Sequence, residues 1–465
     1  MSGRSGLTRG IVWSELAQAM PGAVLLPGQA GYEDRRRVWN GAIDRRPLAI
    51  AQCMGPGDVS AAILFAAGEH IRMTVRGGGH NVAGTAVRDD AMMLDLGRMN
   101  RVEVDRASRV AHVEGGALWR EVDAATQPFG LATTGGLISS TGVGGYTLGG
   151  GVGWLMRRCG LAIDNLVEAR VVLADGRSVV ADDRNHADLF WALRGGAGGF
   201  GVVTRFTYRL HDIGQVYAGL VFHPLEAAAD LLRAFRDFTP GAPRALTAML
   251  VFTTVPPLPF LPVEAHHRRA IAVAWCWSGE PGEGMKILAP LTEHGHPWGR
   301  HAGVMPYAAW QQALDPTAPP GDHYYWSTSQ LDVLDDAMIE SLMGIAADPP
   351  DPLCEVHVHH LGGAVAAVAN ETTAFSHRDA TFFVNMIGHA GSKERFSAVR
   401  EWVRDSQAAI AARARVGIQP NFTSDVSQLK AHPHDARTIA RLQALRDRYD
   451  PEGLLAPVRE ARSPS

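Results

Sequence analysis

Glycine is concentrated in residues 130–153, which read GLATTGGLISSTGVGGYTLGGGVG. Ten of these 24 positions are glycine, but leucine, isoleucine, valine and tyrosine interrupt them. A flexible linker would instead carry serine and other polar residues between its glycines. Because glycine has no side chain, it allows another group to approach the backbone closely. The stretch therefore predicts an ordered loop that packs against a large flat ligand.

A second glycine cluster, VRGGGHN at residues 75–81, directly follows the strand-like residues 71–75, IRMTV. Successive backbone N–H groups in such a turn can point into one hollow and bind an anion such as a phosphate. The alternative is an ordinary turn that ends in a surface histidine, since short glycine motifs are weakly specific on their own.

The first half of the chain alternates short strands with helices. Residues 48–53 and 71–75 predict two strands on either side of a helix that begins near Pro56, which is a βαβ unit. The glycines then follow the carboxyl end of a strand, where open α/β sheets bind ligands. Residues 101–116 and 170–180 each predict a β-hairpin.

After about residue 212 glycine becomes less frequent and longer strand candidates appear, including ALTAMLVFTTV, AIAVAWCWS, DHYYWSTSQL, EVHVHHLGG and DATFFVNMIGH. Amphipathic helices lie between them. Long strands separated by helices are typical of an antiparallel sheet that is covered on one face, so the fold class is predicted to be α+β.

Composition excludes several classes of protein. A chain of 465 residues predicts two or three domains, and 46% hydrophobic with 20% charged residues is ordinary for a globular protein. The net charge of -4 provides no basic surface for nucleic acid. No apolar run is long enough to span a bilayer, and MSGRSGLTRG lacks a signal core, so a cytoplasmic location is predicted. The four cysteines form no CxxC pair, which argues against a metal site or a disulfide framework.

Four separated blocks of the sequence, taken together, carry a specific resemblance. They are VRGGGHNVAG (75–84), GLISSTGVGGYTLGGGVGWLMRRCGLAIDNL (136–166), DLFWALRGGAGGFGVV (188–203), and NFTSD with RYDPEGL (421–425 and 448–454). In type and order these blocks resemble the FAD-linked oxidases of the vanillyl-alcohol oxidase and p-cresol methylhydroxylase superfamily, and especially the branch typified by berberine bridge enzyme.

The resemblance implies a two-domain fold and its approximate boundaries. Residues 1–211 would form an FAD-binding domain of the p-cresol methylhydroxylase type, and residues 212–415 a substrate-binding domain with an antiparallel sheet covered by helices. Residues 416–465 would return to the FAD-binding domain. The active site would be the cleft where the sheet covers the flavin ring.

The resemblance also implies how FAD is held. The glycine turn would bind the pyrophosphate, and His80 would be covalently bonded to a methyl group of the flavin. Some relatives add a second bond through a cysteine, but Ile138 occupies the matching position here. One covalent bond is therefore predicted, with Cys159 as a packing residue. The residues predicted to bind the cofactor are Arg76, Gly77, Gly78, Gly79, His80, Asn81, Gly84, Gly135, Gly136, Ser140, Gly142, Gly145 and Val202.

The candidate catalytic residues are His357, Tyr146 and Asn421. Period 2 in a strand places Glu355, His357 and His359 on one face, and a histidine can accept a proton near neutral pH. The alternatives are histidines that face solvent, that are hydrogen-bonded in the core, or that bind a metal. Tyr146 would hydrogen-bond the flavin or substrate, or only pack, and Asn421 matches a family asparagine near the flavin.

Several aromatic residues, among them Tyr324, Trp326, Trp275 and Trp277, are predicted to line or support the substrate cavity. The favoured activity is an oxidase that passes two electrons from a small aromatic or polyketide-like metabolite to molecular oxygen. The alternatives are a flavin-dependent oxygenase of the enterocin-forming type and a non-redox protein on the same scaffold. No nucleic-acid or membrane partner is expected, and the sequence leaves the oligomeric state open.

Overall fold

A computed structural model describes residues 11–415, 419–425 and 435–455. Of the predicted C-terminal segment 416–465, residues 416–418, 426–434 and 456–465 therefore lie outside the described residues. Among those described, the strands form three larger sheets and one short two-stranded ribbon. The predicted boundaries near residues 211 and 415 stay a prediction.

The first sheet contains a short antiparallel strand and three parallel strands in the order β1-β2-β4-β3. Its strands are β1 (Val24–Leu25), β2 (Ala49–Gln52), β3 (Arg72–Arg76) and β4 (Ala91–Asp95), and its helices are α1 (Trp13–Ala19), α2 (Tyr32–Arg36) and α3 (Pro56–Gly68). The predicted crossover from β2 through α3 to β3 exists, but β4 lies between the two strands. The reason is that β4 is buried on both faces and takes the central position.

The second sheet is antiparallel, with the order β5-β6-β10-β8-β9. Its strands are β5 (Val102–Asp105), β6 (Val110–Glu114), β8 (Leu166–Val172), β9 (Ser178–Ala181) and β10 (Val202–Arg209), and the ribbon pairs β7 (Leu131–Ala132) with β11 (His211–Asp212). The accompanying helices are α4 (Trp119–Thr126), α5 (Val143–Leu148), α6 (Met156–Cys159), α7 (Ala162–Asn165) and α8 (Ala187–Leu193). The two predicted hairpins are confirmed, whereas the glycine stretch predicted as a loop contains helix α5.

The third sheet is antiparallel and has seven strands in the order β15-β12-β14-β13-β17-β18-β16. They are β12 (Gln215–Pro224), β13 (Leu246–Thr254), β14 (Arg269–Trp277), β15 (Gly299–Pro306), β16 (His323–Leu331), β17 (Glu355–His360) and β18 (Phe382–Ala390). The helices in and after this region are α9 (Ala228–Phe238), α10 (Pro281–Thr292), α11 (Tyr307–Gln311), α12 (Asp336–Ala347), α13 (Phe396–Ala411) and α14 (Ala436–Tyr449).

The two faces of this seven-stranded sheet have different neighbours. On one face, side chains such as Val356 and Val358 pack in a core with α9, α10, α12 and α13. The next residues along the same strand point to the opposite face because strand side chains alternate. That face carries Glu355, His357 and His359, and the ring of His359 stacks there on Phe383 of β18. Phe383 packs in a core with residues between 152 and 163, so this face is turned toward the first part of the chain. The predicted antiparallel sheet covered by helices is confirmed.

Buried polar contacts join the sheet to the first part of the chain. Arg378 donates two hydrogen bonds to the carboxylate of Asp164, at 3.0 and 2.8 Å, and both side chains are buried. Asp315 accepts bonds from the backbone and the hydroxyl of Ser139, at 2.7 and 2.5 Å. These contacts hold the sheet against the glycine-rich segments.

The two glycine clusters meet at their backbones. A methyl group built on Gly78 would lie 2.5 Å from the nitrogen of Gly142, and one built on Gly142 would lie 2.2 Å from the nitrogen of Gly78. Neither distance is compatible with a side chain, and backbone cannot move aside as a flexible side chain can. Glycine is therefore required at both positions by the crossing of the two segments.

We predict that Gly78→Ala destabilises the protein by about 1–3 kcal/mol, the usual penalty for forcing extra atoms into a packed site. Gly344→Ala is the matched control, because nothing lies within 4 Å of its added methyl group, it belongs to helix α12 and it does not line the cavity described below. The control should keep or slightly raise the free energy of unfolding. Urea unfolding of the two variants measures the difference, and equal stabilities would contradict this packing.

Candidate functional site

A cavity of about 610 Å³ lies where the two glycine clusters meet the edge of the seven-stranded sheet. Its walls come from segments far apart in sequence: the end of β3, the residues around α5, residues 196–203, Trp326 of β16, residues 420–422, and α14. The volume falls within the range of small-molecule and cofactor sites.

Most of the residues predicted from sequence line this cavity. They are Gly77, Gly78, Gly79, His80, Asn81, Gly136, Gly142, Gly145, Tyr146, Val202 and Asn421. The structure thus brings together all four blocks, which the sequence separates by up to about 340 residues.

Five predicted residues do not line the cavity: Arg76, Gly84, Gly135, Ser140 and His357. Arg76 donates a hydrogen bond to the carbonyl oxygen of Arg35. Gly84 has a left-handed backbone (φ +65°) and packs on the side chain of Ile43, and Gly135 packs on the ring of Trp119. Arg76, Gly84 and Gly135 thus support the segments that form the wall, and a direct role in binding stays a prediction for all five.

His80 lies in the wall of the cavity, which Ile138 and Trp326 also line. Its Nε2 atom is buried and has no hydrogen-bond partner in the protein. Burial lowers the pKa of His80 to about 4, so its imidazole is neutral at pH 7. A neutral ring keeps a lone pair on nitrogen, which is the form that reacts as a nucleophile.

Trp39 holds His80 in place. The two rings are stacked, with centroids 4.2 Å apart and planes at 15°. Trp39 is itself fixed by a hydrogen bond of 3.0 Å from Nε1 to the carbonyl oxygen of Ala318. The stack continues through Tyr324 (3.9 Å) to His389 (4.4 Å), whose Nε2 lies 2.8 Å from a carboxylate oxygen of Asp322. This ring stack therefore connects the histidine to the edge of the seven-stranded sheet.

Asn421 and Tyr146 meet on another part of the wall. The amide of Asn421 donates a hydrogen bond of 2.8 Å to the backbone oxygen of Tyr146. A methyl group on Gly149 would lie 2.1 Å from the side-chain oxygen of Asn421, so the asparagine closes tightly over the glycine segment. The ring of Tyr146 packs edge-on against Trp119 at 5.3 Å.

His357 lies on the sheet face turned toward the first part of the chain and does not line the cavity. Its Nε2 is 2.8 Å from Glu355 Oε2, and Thr253 donates a 2.6 Å bond to the other oxygen of Glu355. Burial acts to raise the pKa of Glu355, but the hydrogen bonds and the neighbouring His357 lower it overall. Ring contacts lead from His357 through His359 and Phe383 to Phe422, which lines the cavity.

Sequence reasoning missed Trp39, which supports the wall through its contact with His80, and several residues of the wall itself. Trp39 has no local sequence signal, because only the fold brings it onto His80. Leu442, Gln443 and Arg446 of α14 also line the cavity, and they belong to an ordinary amphipathic helix in the sequence. Conversely, Trp275 and Trp277 were expected near the cavity but lie in the core under the helices, on the other face of the sheet.

The described residues were also considered as possible metal ligands and as possible membrane-spanning helices. Over residues 11–415, 419–425 and 435–455, no group of three or more histidine, cysteine, aspartate and glutamate side chains is arranged to hold a metal ion. Within the same ranges, every helix is too short or too polar to cross a membrane.

The donor groups and shape of the cavity fit FAD. The walls contain glycines whose missing side chains leave room for a ligand against the backbone, including Gly145 and Gly198, where a methyl group would meet nothing within 4 Å. The cavity also contains the neutral, unpartnered nitrogen of His80. An extended ligand with a flat ring next to that histidine and a diphosphate along Gly77–79 would use both features.

Comparison with known proteins agrees with this geometry. The sequence profile of the FAD binding domain family matches residues 47–182. An FAD-linked oxidoreductase of Dictyostelium discoideum is 27% identical over 397 residues, which cover 84% of each chain. The structure of 6-hydroxy-D-nicotine oxidase from Arthrobacter nicotinovorans superimposes with a TM-score of 0.84 and 25% identity, covering 94% of this chain and 96% of that one.

A plant relative extends the likeness in fold. The BBE-like 1 protein of Physcomitrella patens has a TM-score of 0.85 at 19% identity, with 95% of this chain and 97% of that one covered. The cavity, the glycine walls and these likenesses agree with one another: the chain contains an FAD-binding domain, has the p-cresol methylhydroxylase-type fold of its structural neighbours and is similar over most of its length to FAD-linked oxidoreductases.

Proposed function

We propose that this protein is an oxidase that holds FAD through a single covalent bond at His80 and uses molecular oxygen to oxidise a small aromatic or polyketide-like metabolite. The observation that carries the proposal is the position of His80: a neutral imidazole, with an Nε2 that has no hydrogen-bond partner, in the wall of the same cavity as both glycine clusters. The flavin supplies the two-electron chemistry when it is bound.

Different residues in and behind the wall would hold different parts of the cofactor. Gly77, Gly78 and Gly79 offer backbone to the diphosphate, and Val202 lies on the wall with the residues of α14. Trp39 keeps the imidazole of His80 in a single orientation, so that its nitrogen stays directed for bond formation. Bond formation to a ligand carbon needs the neutral ring, which burial maintains at physiological pH.

A second covalent bond is not expected. Ile138 lines the cavity and offers only an aliphatic side chain. Cys159 packs instead against a separate core formed with β12, β13 and β14. Burial also raises the pKa of its thiol to about 12, which keeps it protonated and unreactive.

We expect the wild-type protein to stay yellow after precipitation in acid, and His80→Ala to release its flavin under the same conditions. Mass analysis of the flavin-carrying peptide would place the bond at residue 80. His301→Ala, which changes an exposed histidine on β15, should stay yellow like the wild type. A colourless wild-type precipitate from a flavin-loaded protein would refute the covalent bond but not the binding of FAD.

For the substrate side, we propose that His357 accepts a proton and that Glu355 is its positioning residue. If Nε2–H of the imidazole donates to Glu355, then Nδ1 is the acceptor nitrogen. Thr253 donates a hydrogen bond to the other carboxylate oxygen of Glu355, so the pair of His357 and Glu355 has one preferred arrangement. Because His357 does not itself line the cavity, a proton leaving an O–H or N–H of the substrate would reach Nδ1 of His357 through intervening water.

We expect His357→Gln to lower kcat by about 10²–10⁴-fold, the usual contribution of a general base. Glu355→Gln should cause a smaller loss and change the shape of the pH–rate profile, because it alters the orientation of the imidazole without removing it. His359→Gln is the matched control on the same strand face. Equal losses in all three variants, with unchanged pH profiles, would show a structural role only.

The oxidase activity itself is tested with phenols, benzylic alcohols and hydroxylated nitrogen heterocycles as probe substrates; the last class is chosen because 6-hydroxy-D-nicotine oxidase is a structural neighbour. A substrate should bleach the yellow protein without air, and admitted oxygen should restore the colour with one equivalent of hydrogen peroxide. Incorporation of labelled oxygen into the product without peroxide would favour an oxygenase. Absence of bleaching by any probe that binds would favour a non-redox role.

A further inference from the structure

A group of buried polar atoms surrounds the hydroxyl of Tyr146. The group, which we call the polar cluster, consists of Asp123, Tyr146, Tyr307 and Gln311. Each contributes a buried oxygen that has no hydrogen-bond partner in the protein: Asp123 Oδ2, the two tyrosine hydroxyls and Gln311 Oε1. Asp123 is 1% exposed and Tyr307 and Gln311 are fully buried.

Helices α4 and α11 bring these residues together. Asp123 lies on α4, and Gln127, one turn later, accepts a hydrogen bond of 3.2 Å from the backbone of Ala308 at the start of α11. Tyr307 and Gln311 are one turn apart on α11 and share a face. The amide of Gln311 donates a bond of 2.7 Å to the backbone oxygen of Gly136, which lines the cavity.

The cluster is directly connected to the cavity through Tyr146, whose other atoms line the wall. The glycines around its ring leave the hydroxyl pointing inward: a methyl group on Gly153 would lie 3.1 Å from that oxygen. Tyr146 is therefore the residue shared by the polar cluster and the cofactor cavity.

The charges around Asp123 show which form the carboxyl group takes. Burial alone raises its pKa to about 8. The titratable groups that face the cluster are Tyr146, Tyr208 and Tyr307, with Cys159 and Cys276 beyond Tyr307. All of these are neutral at pH 7, and among the described residues no arginine, lysine or histidine contributes to the pKa of Asp123. Asp123 is therefore a neutral carboxylic acid with an O–H group to donate.

Buried polar groups in folded proteins nearly always have a partner, and several orphaned groups in one place indicate ordered internal water. A water molecule needs two to four polar partners. The polar cluster offers three hydroxyl-type oxygens and one amide oxygen, with both donors and acceptors among them.

We propose that protonated Asp123, together with the hydroxyls of Tyr146 and Tyr307, binds internal water, and that this water site fixes the orientation of Tyr146 in the cavity wall. Asp123 is then a positioning residue: it touches neither cofactor nor substrate and acts through water on Tyr146. The site belongs to the folded chain itself, so it does not depend on the covalent bond at His80 or on oxidase activity.

The protonated state predicts how stability depends on pH. The carboxyl of an unfolded chain ionises near pH 3.9, whereas that of Asp123 in the folded protein keeps its proton to about pH 8. Its contribution to stability is therefore complete below about pH 4 and is lost progressively as the pH rises to about 8. Over that interval, each pH unit should raise the unfolding equilibrium constant about tenfold relative to that of a variant in which residue 123 cannot ionise.

The test compares urea unfolding of full-length, flavin-loaded wild type with Asp123→Asn at pH 5, 6, 7 and 8. The ratio of the unfolding constant of the wild type to that of the variant should rise about tenfold for each pH unit. The stability of the asparagine variant should therefore lack the decline that the wild type shows at high pH. Asp34→Asn removes an exposed carboxylate and should leave the slope of the wild type unchanged. Parallel slopes for wild type and Asp123→Asn would overturn the proposal.

Two further measurements keep the proposal testable if Asp123→Asn does not fold. The infrared spectrum of the wild type at pH 7, with carboxyl-labelled aspartate, should contain a protonated carboxyl band from a group that exchanges slowly with solvent. A high-resolution crystal structure should show water within hydrogen-bond distance of Asp123 and both tyrosine hydroxyls, and Tyr307→Phe should remove or displace that water. A dry cluster or an ionised Asp123 would refute it.

Discussion

The shape of the ligand cavity depends on the contact between the backbones of Gly78 and Gly142. The two residues lie so close that neither tolerates a single added carbon. Their contact places the turn after β3 against the segment that leads into α5, and the cavity opens along the line where they meet. The hydrophobic cores behind each segment supply the stability, but this contact sets the shape of the wall.

The chemistry of His80 follows from its neighbours more than from its own position in the chain. Burial keeps the imidazole neutral, and the stack with Trp39 and Tyr324 fixes its plane. Because Tyr324 belongs to β16, the sheet that is proposed to cover the substrate also orients the residue proposed to hold the cofactor. A substitution in that sheet can therefore affect flavin attachment without touching the flavin.

Much of the fold could be predicted from the sequence, because local patterns dominate it. The hairpins at 102–114 and 166–181, the helices α8 and α13 and the long strands of the third sheet lie close to where hydrophobic periodicity and turn residues place them. The prediction was wrong where distant residues decide. β4 enters between β2 and β3 because it is buried on both faces, and α5 forms within glycines because tertiary packing outweighs their low helix propensity. Trp275 and Trp277 face the helices because the register of β14, set by its partner strands, turns them there.

The sequence by itself indicated the fold class, and the resemblance carried by its four blocks indicated the glycine walls and the candidate histidine, because such motifs are local features that can be read without coordinates. Only the tertiary structure decided which residues surround that histidine. Trp39 and Tyr324 are separated by almost 300 residues, and Asp123 meets Tyr307 only because α4 packs on α11. The proton affinities of His80 and Asp123 depend on burial, and burial is created by contacts between parts of the chain that no local pattern relates.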